Sequence, residues 1–405
     1  MGQPPPRRLY PSRMRRDIKR ALAAVFVART AASAGLRIVY PFLPAIARGL
    51  GVSPGTLASV IALRNLGGFT TPLVARVSER HGRRSIMLAA MAAVVAGAAI
   101  TATGSFAAAA IGIVVVGFAK TTFDLPMQAW FGDRVPYQER GRVFGITELT
   151  WAVSLLVAAP ASGFLIAATD WRAPFVLIAV LAAVGIVAVM RGLQPDRPRE
   201  HVARSLEFDG SIRRVIAIVV LFIMASEIVF IIYGQWLEAD FGLSVAGIGT
   251  FTLAIVAAEI MGEGLVAAVS DRVGLKRMWL GGLVVTAFAY LSFGMVGSSL
   301  AMAVVVVVVW ITAFEVTIVS SIPFVSELSD ARERVLSTML VSIGIGRAAG
   351  ALIAQPLYTG GGIARATAVS AACVVVGALL LVGIPDHVMR DSGEGDREEP
   401  PGVET

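Results

Sequence analysis

The sequence predicts an all-α integral membrane protein, with twelve transmembrane helices arranged as two pseudo-symmetric six-helix bundles. Three observations predict it. Hydrophobic residues make up 56% of the chain and charged residues only 16%, against about 25% charged in a soluble domain. Apolar runs near the ~20 residues needed to cross a bilayer recur along the whole length. A charged motif is also written twice: Leu73 to Arg84 reads LVARVSERHGRR, and Leu265 to Arg277 reads LVAAVSDRVGLKR.

The runs place spans at 22–47, 55–78, 85–104, 106–130, 143–168, 172–193, 214–236, 244–269, 277–298, 300–324, 335–358 and 363–385. All are expected to be helical, because lipid offers no partner to an unpaired backbone group. The first run contains Arg29 and Arg37 and lacks a small-residue cleavage site, so it reads as a span and not as a removed signal peptide. Pro41, Pro44, Pro126, Pro160, Pro323 and Pro356 interrupt spans 1, 4, 5, 10 and 11, and such bends let a bundle open at one end. The longest polar interruption, 194–213, separates an N-terminal bundle (22–193) from a C-terminal one (214–386). It leaves a cytoplasmic segment at 1–21 and an acidic, Pro/Gly-rich tail at 387–405 that is expected to be disordered.

Bases cluster before span 1 and at 80–84, 134–142, 191–214, 272–277, 332–334 and 390–397. The intervening short loops hold little more than Arg48, Arg172 and Arg365. This alternation is the positive-inside bias. It puts both termini in the cytoplasm of a plasma-membrane protein, and it explains a pI near 10.0 without nucleic acid as a partner. The single cysteine, Cys373, has no intrachain partner.

The halves align. Glu79 and Asp271 are 192 residues apart (271 − 79), and RGRVFG at 140–145 matches RERVLS at 332–337 at the same offset (332 − 140). Two charged matches in one register point to a duplicated six-helix unit, a transporter architecture.

On these residues the chain resembles the major facilitator superfamily over essentially 15–390. That family carries Gly-x-x-x-Asp-Arg-x-Gly-Arg-Arg between spans 2 and 3. The matching residues are Ala75, Glu79, Arg80, Gly82, Arg83 and Arg84, with Ala for Gly and Glu for Asp. The second copy is Ala267, Asp271, Arg272, Gly274, Lys276 and Arg277, and DWRAPF at the start of span 6 is also typical. Glycine permits a tight turn, the bases hold the loop at the headgroups, and a carboxylate suits the positive end of a neighbouring helix. The resemblance implies that Glu79 faces the start of span 11 and Asp271 the start of span 5. These would be two latches that close the cytoplasmic side; the plainer alternative is that the charges only fix topology and a turn.

Ionisable residues inside a membrane are costly and usually functional. Here they are Arg29, Arg37, Arg64, Lys120, Asp124 and Glu148 in the first half, and Glu227, Glu259, Glu263, Glu315 and Arg347 in the second. None lies on spans 3, 6, 9 or 12; the resemblance puts the other eight spans around a central cavity. Arg29 and Glu148 lie nearer the cytoplasm, as structural or gate residues. The first half is mainly basic at mid-span and the second mainly acidic, so the halves could pair across an empty cavity or hold a zwitterionic or amphipathic substrate. Lys120 and Asp124 share a helix face, as do Glu259 and Glu263. The first two could be a local ion pair. The second two could carry protons, as could Glu227, Glu315 or Asp124, or one could simply pair with an arginine such as Arg347. Trp151 and Trp310 are candidate cavity walls beside Tyr40 and Tyr233, whereas Trp236 reads as belt material at the outer interface.

There is no phosphate loop, no metal-ligand spacing and no nucleophile motif in the sequence, and His81, His201 and His387 fall in loops or the tail. The expectation is a monomeric secondary transporter with no enzymatic activity, cofactor or metal, driven by the proton gradient. It would export a lipophilic or amphipathic small molecule. Proton-coupled uptake of a sugar, amino acid or organic anion is the alternative; a non-transporting receptor or lipid-interacting protein is a remoter one. The family's drug antiporters have Gly-Pro-x-x-Gly in span 5 and an arginine early in span 4. Here span 5 offers only Ala159 to Gly163 (APASG), and span 4 has no such arginine.

Overall fold

A computed structural model describes residues 16–196, 210–326 and 332–384. The segments at 1–15, 197–209, 327–331 and 385–405, with the expected linker core and disordered tail, lie outside the described residues.

All the expected spans are present as helices. Span 1 is Arg16–Arg37 followed by Leu43–Leu50. Span 2 is Pro54–Asn65, a 3₁₀ turn at Leu66–Thr70, and Thr71–His81. Spans 3 to 6 are Arg83–Thr101, Phe106–Arg134, Tyr137–Ala168 and Ala173–Gly192. Spans 7 to 10 are Gly210–Phe241, Val245–Val273, Leu275–Phe293 and Leu300–Ser326. Spans 11 and 12 share Arg332–Val382, parted at Gly361 and Gly362, where φ is 65° at the latter. Among the described residues nine helices, one of them containing spans 11 and 12, are long and apolar enough to cross a membrane. Span 1, which is broken, and span 9 fall outside that count.

The ends follow from local chemistry. The hydroxyls of Ser53, Ser105 and Ser244 accept hydrogen bonds from the amides of Thr56, Ala108 and Gly247, opening spans 2, 4 and 8. Gly82 (φ 83°, ψ 139°) and Gly274 (φ 88°, ψ 142°) take nearly the same backbone conformation in the two copies of the motif, a region closed to most side chains. The repeat extends to side chains. Arg84 donates to the carbonyl of Met190 at the end of span 6 (2.6 Å). Lys276, 192 residues on (276 − 84), donates to that of Ile384 at the end of span 12 (2.6 Å).

Within each half, neighbouring helices form one bundle: spans 3 and 4, 1 and 6, 9 and 10, 8 and 10, and 7 with the 11–12 helix. Span 6 shows Val176, Val180, Val184 and Val187 on its exposed face, and spans 9 and 12 show Phe288, Leu291, Leu379 and Val382. These are apolar stripes at helical spacing that suit lipid. The halves meet through spans 5 and 8, spans 2 and 11, and Leu43–Leu50 of span 1 against span 7.

Much of this meeting is backbone against backbone at glycine. A Cβ on Gly249 would lie 2.7 Å from the carbonyl oxygen of Ala159, and one on Gly163 would lie 2.9 Å from that of Val245. A Cβ on Gly344 would lie 2.9 Å from the carbonyl oxygen of Asn65. At one end of the bundle Arg48 pairs with Glu238 across the halves (2.9 Å). At the other end, which carries the repeated motif, Thr71–His81 of span 2 packs on spans 3 and 4 of its own half. Among the described residues, the halves are thus tied at the Arg48–Glu238 end.

Candidate functional site

The site begins at the break in span 1. Pro41 has no amide hydrogen, and its ring collides with the carbonyl four residues back, that of Arg37. The helix stops at Arg37 and resumes at Leu43, where Pro44 fits the first turn. Arg64 of span 2 donates to the freed carbonyl of Leu36 (2.9 Å) and lies 5.0 Å from the Tyr40 ring. Span 7 approaches the break closely, because Gly234 carries no Cβ; one there would sit 2.3 Å from the Pro41 carbonyl oxygen.

Arg37 is thereby aimed between the halves. It forms an ion pair with Glu259 of span 8, donates to the carbonyl of Trp151 on span 5 (2.8 Å), and stacks its guanidinium over the Trp151 ring at 4.4 Å. Arg37 and Glu259 are both buried. The ion pair and the ring line a mid-membrane pocket of about 470 Å³ of empty space, mouth included. Its other walls are Tyr40, Leu155, Phe230, Tyr233, Ile255, Phe314, Glu315 and Arg347. The facing halves thus pair across the cavity, with Arg37, and not Arg347, as the partner of Glu259.

Behind the pocket wall, Glu227 of span 7 accepts hydrogen bonds from Tyr40 (2.8 Å) and from Asn65 of span 2 (2.9 Å), again across the halves. Arg347 lies within electrostatic reach of Tyr40, Glu227 and Glu315. Glu315 is nine-tenths buried and, among the described residues, has no hydrogen-bond or ion-pair partner. Glu263, one turn from Glu259, is half-buried and makes no ion pair among the described residues; it feels Glu259 and Glu148 as like charges.

A second charged cluster sits in the first half, between the pocket and the end that carries the repeated motif. Asp124 pairs with Lys120 on its own face and with Arg29 of span 1 (3.0 Å). Arg29 also pairs with Glu148 (3.1 Å) and holds the carbonyl of Thr147 and the hydroxyl of Thr150. This cluster ties spans 1, 4 and 5 together.

Several expected cavity residues do not line the pocket themselves. Asp124 belongs to the second charged cluster, Lys120 joins that cluster and lies 5.5 Å from the ring of the pocket residue Trp151, Arg64 caps span 1, and Glu227 and Glu263 stand off the pocket wall. Trp310 is fully buried against Phe230, Tyr290 and Phe293 instead of facing the pocket. Trp236 is no belt residue either, being buried against Phe241 and Phe293. Sequence reasoning missed Phe230 and Phe314, which look like ordinary apolar residues in a span. It also missed Asn65, although an amide beside Arg64 at mid-span is a visible signal.

The repeated motif is anchored within its own half. Arg83 pairs with Asp133 and donates to the Ala129 carbonyl (2.6 Å). The amides of Arg83 and Arg84 donate to the Asp196 carboxylate (2.9 and 3.2 Å), which caps span 3. Arg80, Arg272 and Arg277 are exposed, and Glu79 is half-buried. The Asp271 side chain, and those flanking the start of span 11, lie outside the described residues.

Two helical bundles that meet around a charged, aromatic-walled pocket are the architecture of a polytopic membrane transporter. A family model described as Major Facilitator Superfamily matches residues 25–214 and again 215–403. The chain belongs to the Major Facilitator Superfamily. Its relatives include the class G tetracycline resistance protein of Vibrio anguillarum, 27% identical over 65% of this chain and 72% of that one. The purine ribonucleoside efflux pump NepI of Salmonella paratyphi B is 23% identical over 84% of this chain and 90% of its own. Among solved structures, the bacterial homolog of the lysosomal transporter Spinster has a TM-score of 0.70 at 15% identity, covering 90% of this chain and 96% of its own. PepTSo reaches 0.73 at 12%, covering 93% and 99%.

Proposed function

We propose that the chain is a proton-coupled exporter of lipophilic or amphipathic small molecules, working by alternating access as a monomer in the plasma membrane with both termini in the cytoplasm. The observation that carries this reading is the Arg37–Glu259 ion pair, which bridges the two halves inside an aromatic-walled pocket. A molecule that binds there meets the groups that tie the halves together, so binding and rocking share one set of contacts. The similarity to an efflux pump and to tetracycline resistance proteins supports the outward direction.

Proton carriage falls to Glu263 and Glu315. Asp124 is held by two cations, Glu259 by Arg37, and Glu227 by a phenol and an amide. The other two have no ion-pair partner among the described residues, and a proton on either relieves its repulsion with Glu259. No enzymatic step or cofactor enters this scheme. The test is a panel of lipophilic and amphipathic compounds in proteoliposomes with an imposed pH gradient. Uphill movement of at least one compound, collapsed by a protonophore, is expected; movement of none at any gradient would overturn the reading.

A further inference from the structure

The apolar stripe of span 6 runs into a base. Val176, Val180, Val184 and Val187 are exposed at spacings of three and four residues, and the next position on that face is Arg191, also exposed. Two other spans bring bases to the same turn. A Cβ on Gly192 would lie 2.4 Å from the Ala24 Cβ and 3.0 Å from the Arg20 carbonyl oxygen, so span 1 presses its backbone on the end of span 6. Arg16 and Arg20, one turn apart on span 1, are exposed, and so is Lys19. Span 3 contributes Arg84, whose guanidinium donates to the Met190 carbonyl (2.6 Å). Its Nε is buried with no hydrogen-bond partner among the described residues, so its charge is only partly met inside the protein. Against these five bases stand Asp17 on span 1 and, just past span 6, Asp196, which the amides of Arg83 and Arg84 already hold.

We propose that this corner of spans 1, 3 and 6 binds the headgroup of one anionic phospholipid of the bilayer, with an acyl chain laid along the valine stripe of span 6. The planar fork of a guanidinium matches two oxygens of a phosphodiester, and long basic side chains reach the headgroups along apolar surface. The anionic headgroup supplies the negative charge that the corner lacks. A zwitterionic lipid brings its own cation and leaves that excess in place. Topology alone asks only for bases somewhere in the loops; it does not ask for one in register with the lipid-facing stripe. On span 12 the matching stripe, Leu379 and Val382, is followed four residues on in the sequence by Asp386 instead of a base. One such site is therefore expected per chain. It lies outside the pocket between the halves and is independent of what the chain transports.

The test titrates the delipidated full chain in detergent and counts bound lipid by native mass spectrometry. The probe is dioleoyl phosphatidylglycerol. Dioleoyl phosphatidylcholine is the zwitterionic control with the same chains, and glycerol 3-phosphate is the headgroup chemistry without chains. Wild type should hold its first phosphatidylglycerol about tenfold or more tighter than phosphatidylcholine, and excess glycerol 3-phosphate should not displace it. Arg20→Gln combined with Arg191→Gln should weaken that binding by about 25-fold, roughly fivefold for each base removed near the headgroups. Arg20→Lys with Arg191→Lys should keep most of it. Arg142→Gln, which removes an exposed base on span 5, should leave it unchanged. Equal affinity of wild type for the two lipids would overturn the proposal whether or not any variant folds. So would undiminished binding by a folded Arg20→Gln/Arg191→Gln chain, an equal loss in Arg142→Gln, or displacement by glycerol 3-phosphate.

Discussion

Arg37 is the residue at which sequence, structure and function meet. Pro41 ends its helix, and the end of that helix turns its guanidinium toward the other half. Removing one member of a buried ion pair strands the other charge, at a cost of about 3–5 kcal/mol. Arg37→Met and Glu259→Gln should each lower the thermal unfolding midpoint in detergent. The double variant should lose clearly less than the sum of the two; additive losses would mean that the pair is not coupled. The sequence exposed the ingredients of this pair, a basic first half and an acidic second half. It did not expose the pairing itself, because which cation meets which carboxylate depends on a rotation of each helix that spacing leaves open. Trp310 shows the same limit. Its depth in span 10 was legible, but the face it turns to the core was not.

At the scale of elements, the twelve spans were legible because each must supply an unbroken apolar run, and hydropathy reports that directly. Departures came where backbone geometry overrides composition. Span 1 unwinds at Ile38–Phe42, and span 2 tightens to a 3₁₀ turn at Leu66–Thr70 beside Pro72. That turn is where span 2 leaves span 11; it touches span 4 of its own half on both sides of the turn. The seam between spans 5 and 8 depends on absent side chains. Gly249→Leu would push a Cβ against the Ala159 carbonyl oxygen, 2.7 Å away, and overpacking of this kind costs about 1–3 kcal/mol. That seam should therefore open in a larger share of molecules, by about 5–150-fold in the equilibrium. A cysteine placed in the buried pocket wall, such as Leu155→Cys, should react faster with an external impermeant thiol reagent in Gly249→Leu than without it. An unchanged rate would place the seal elsewhere.

At the scale of the whole molecule, duplication makes the two ends of the membrane chemically different. One end closes on glycine seams and Arg48–Glu238, and the repeated acids stand at the other, at the ends of spans 2 and 8. If Glu79 latches the opposite state, neutralising it removes roughly 0.3–2 kcal/mol from that state, about a two- to thirty-fold shift. In Glu79→Gln, spin-label distances between the cytoplasmic ends of spans 2 and 11 should show more cytoplasm-open protein; an identical distribution would count against a latch. Uphill transport is proposed to run on a proton carried at Glu263 or Glu315. The decisive measurement compares gradient-driven accumulation with gradient-free substrate exchange in proteoliposomes carrying Glu263→Gln, Glu315→Gln or both. Accumulation should fall to background in at least one single variant and in the double while exchange continues. Accumulation at the wild-type rate in all three would rule out a proton path through these two carboxylates.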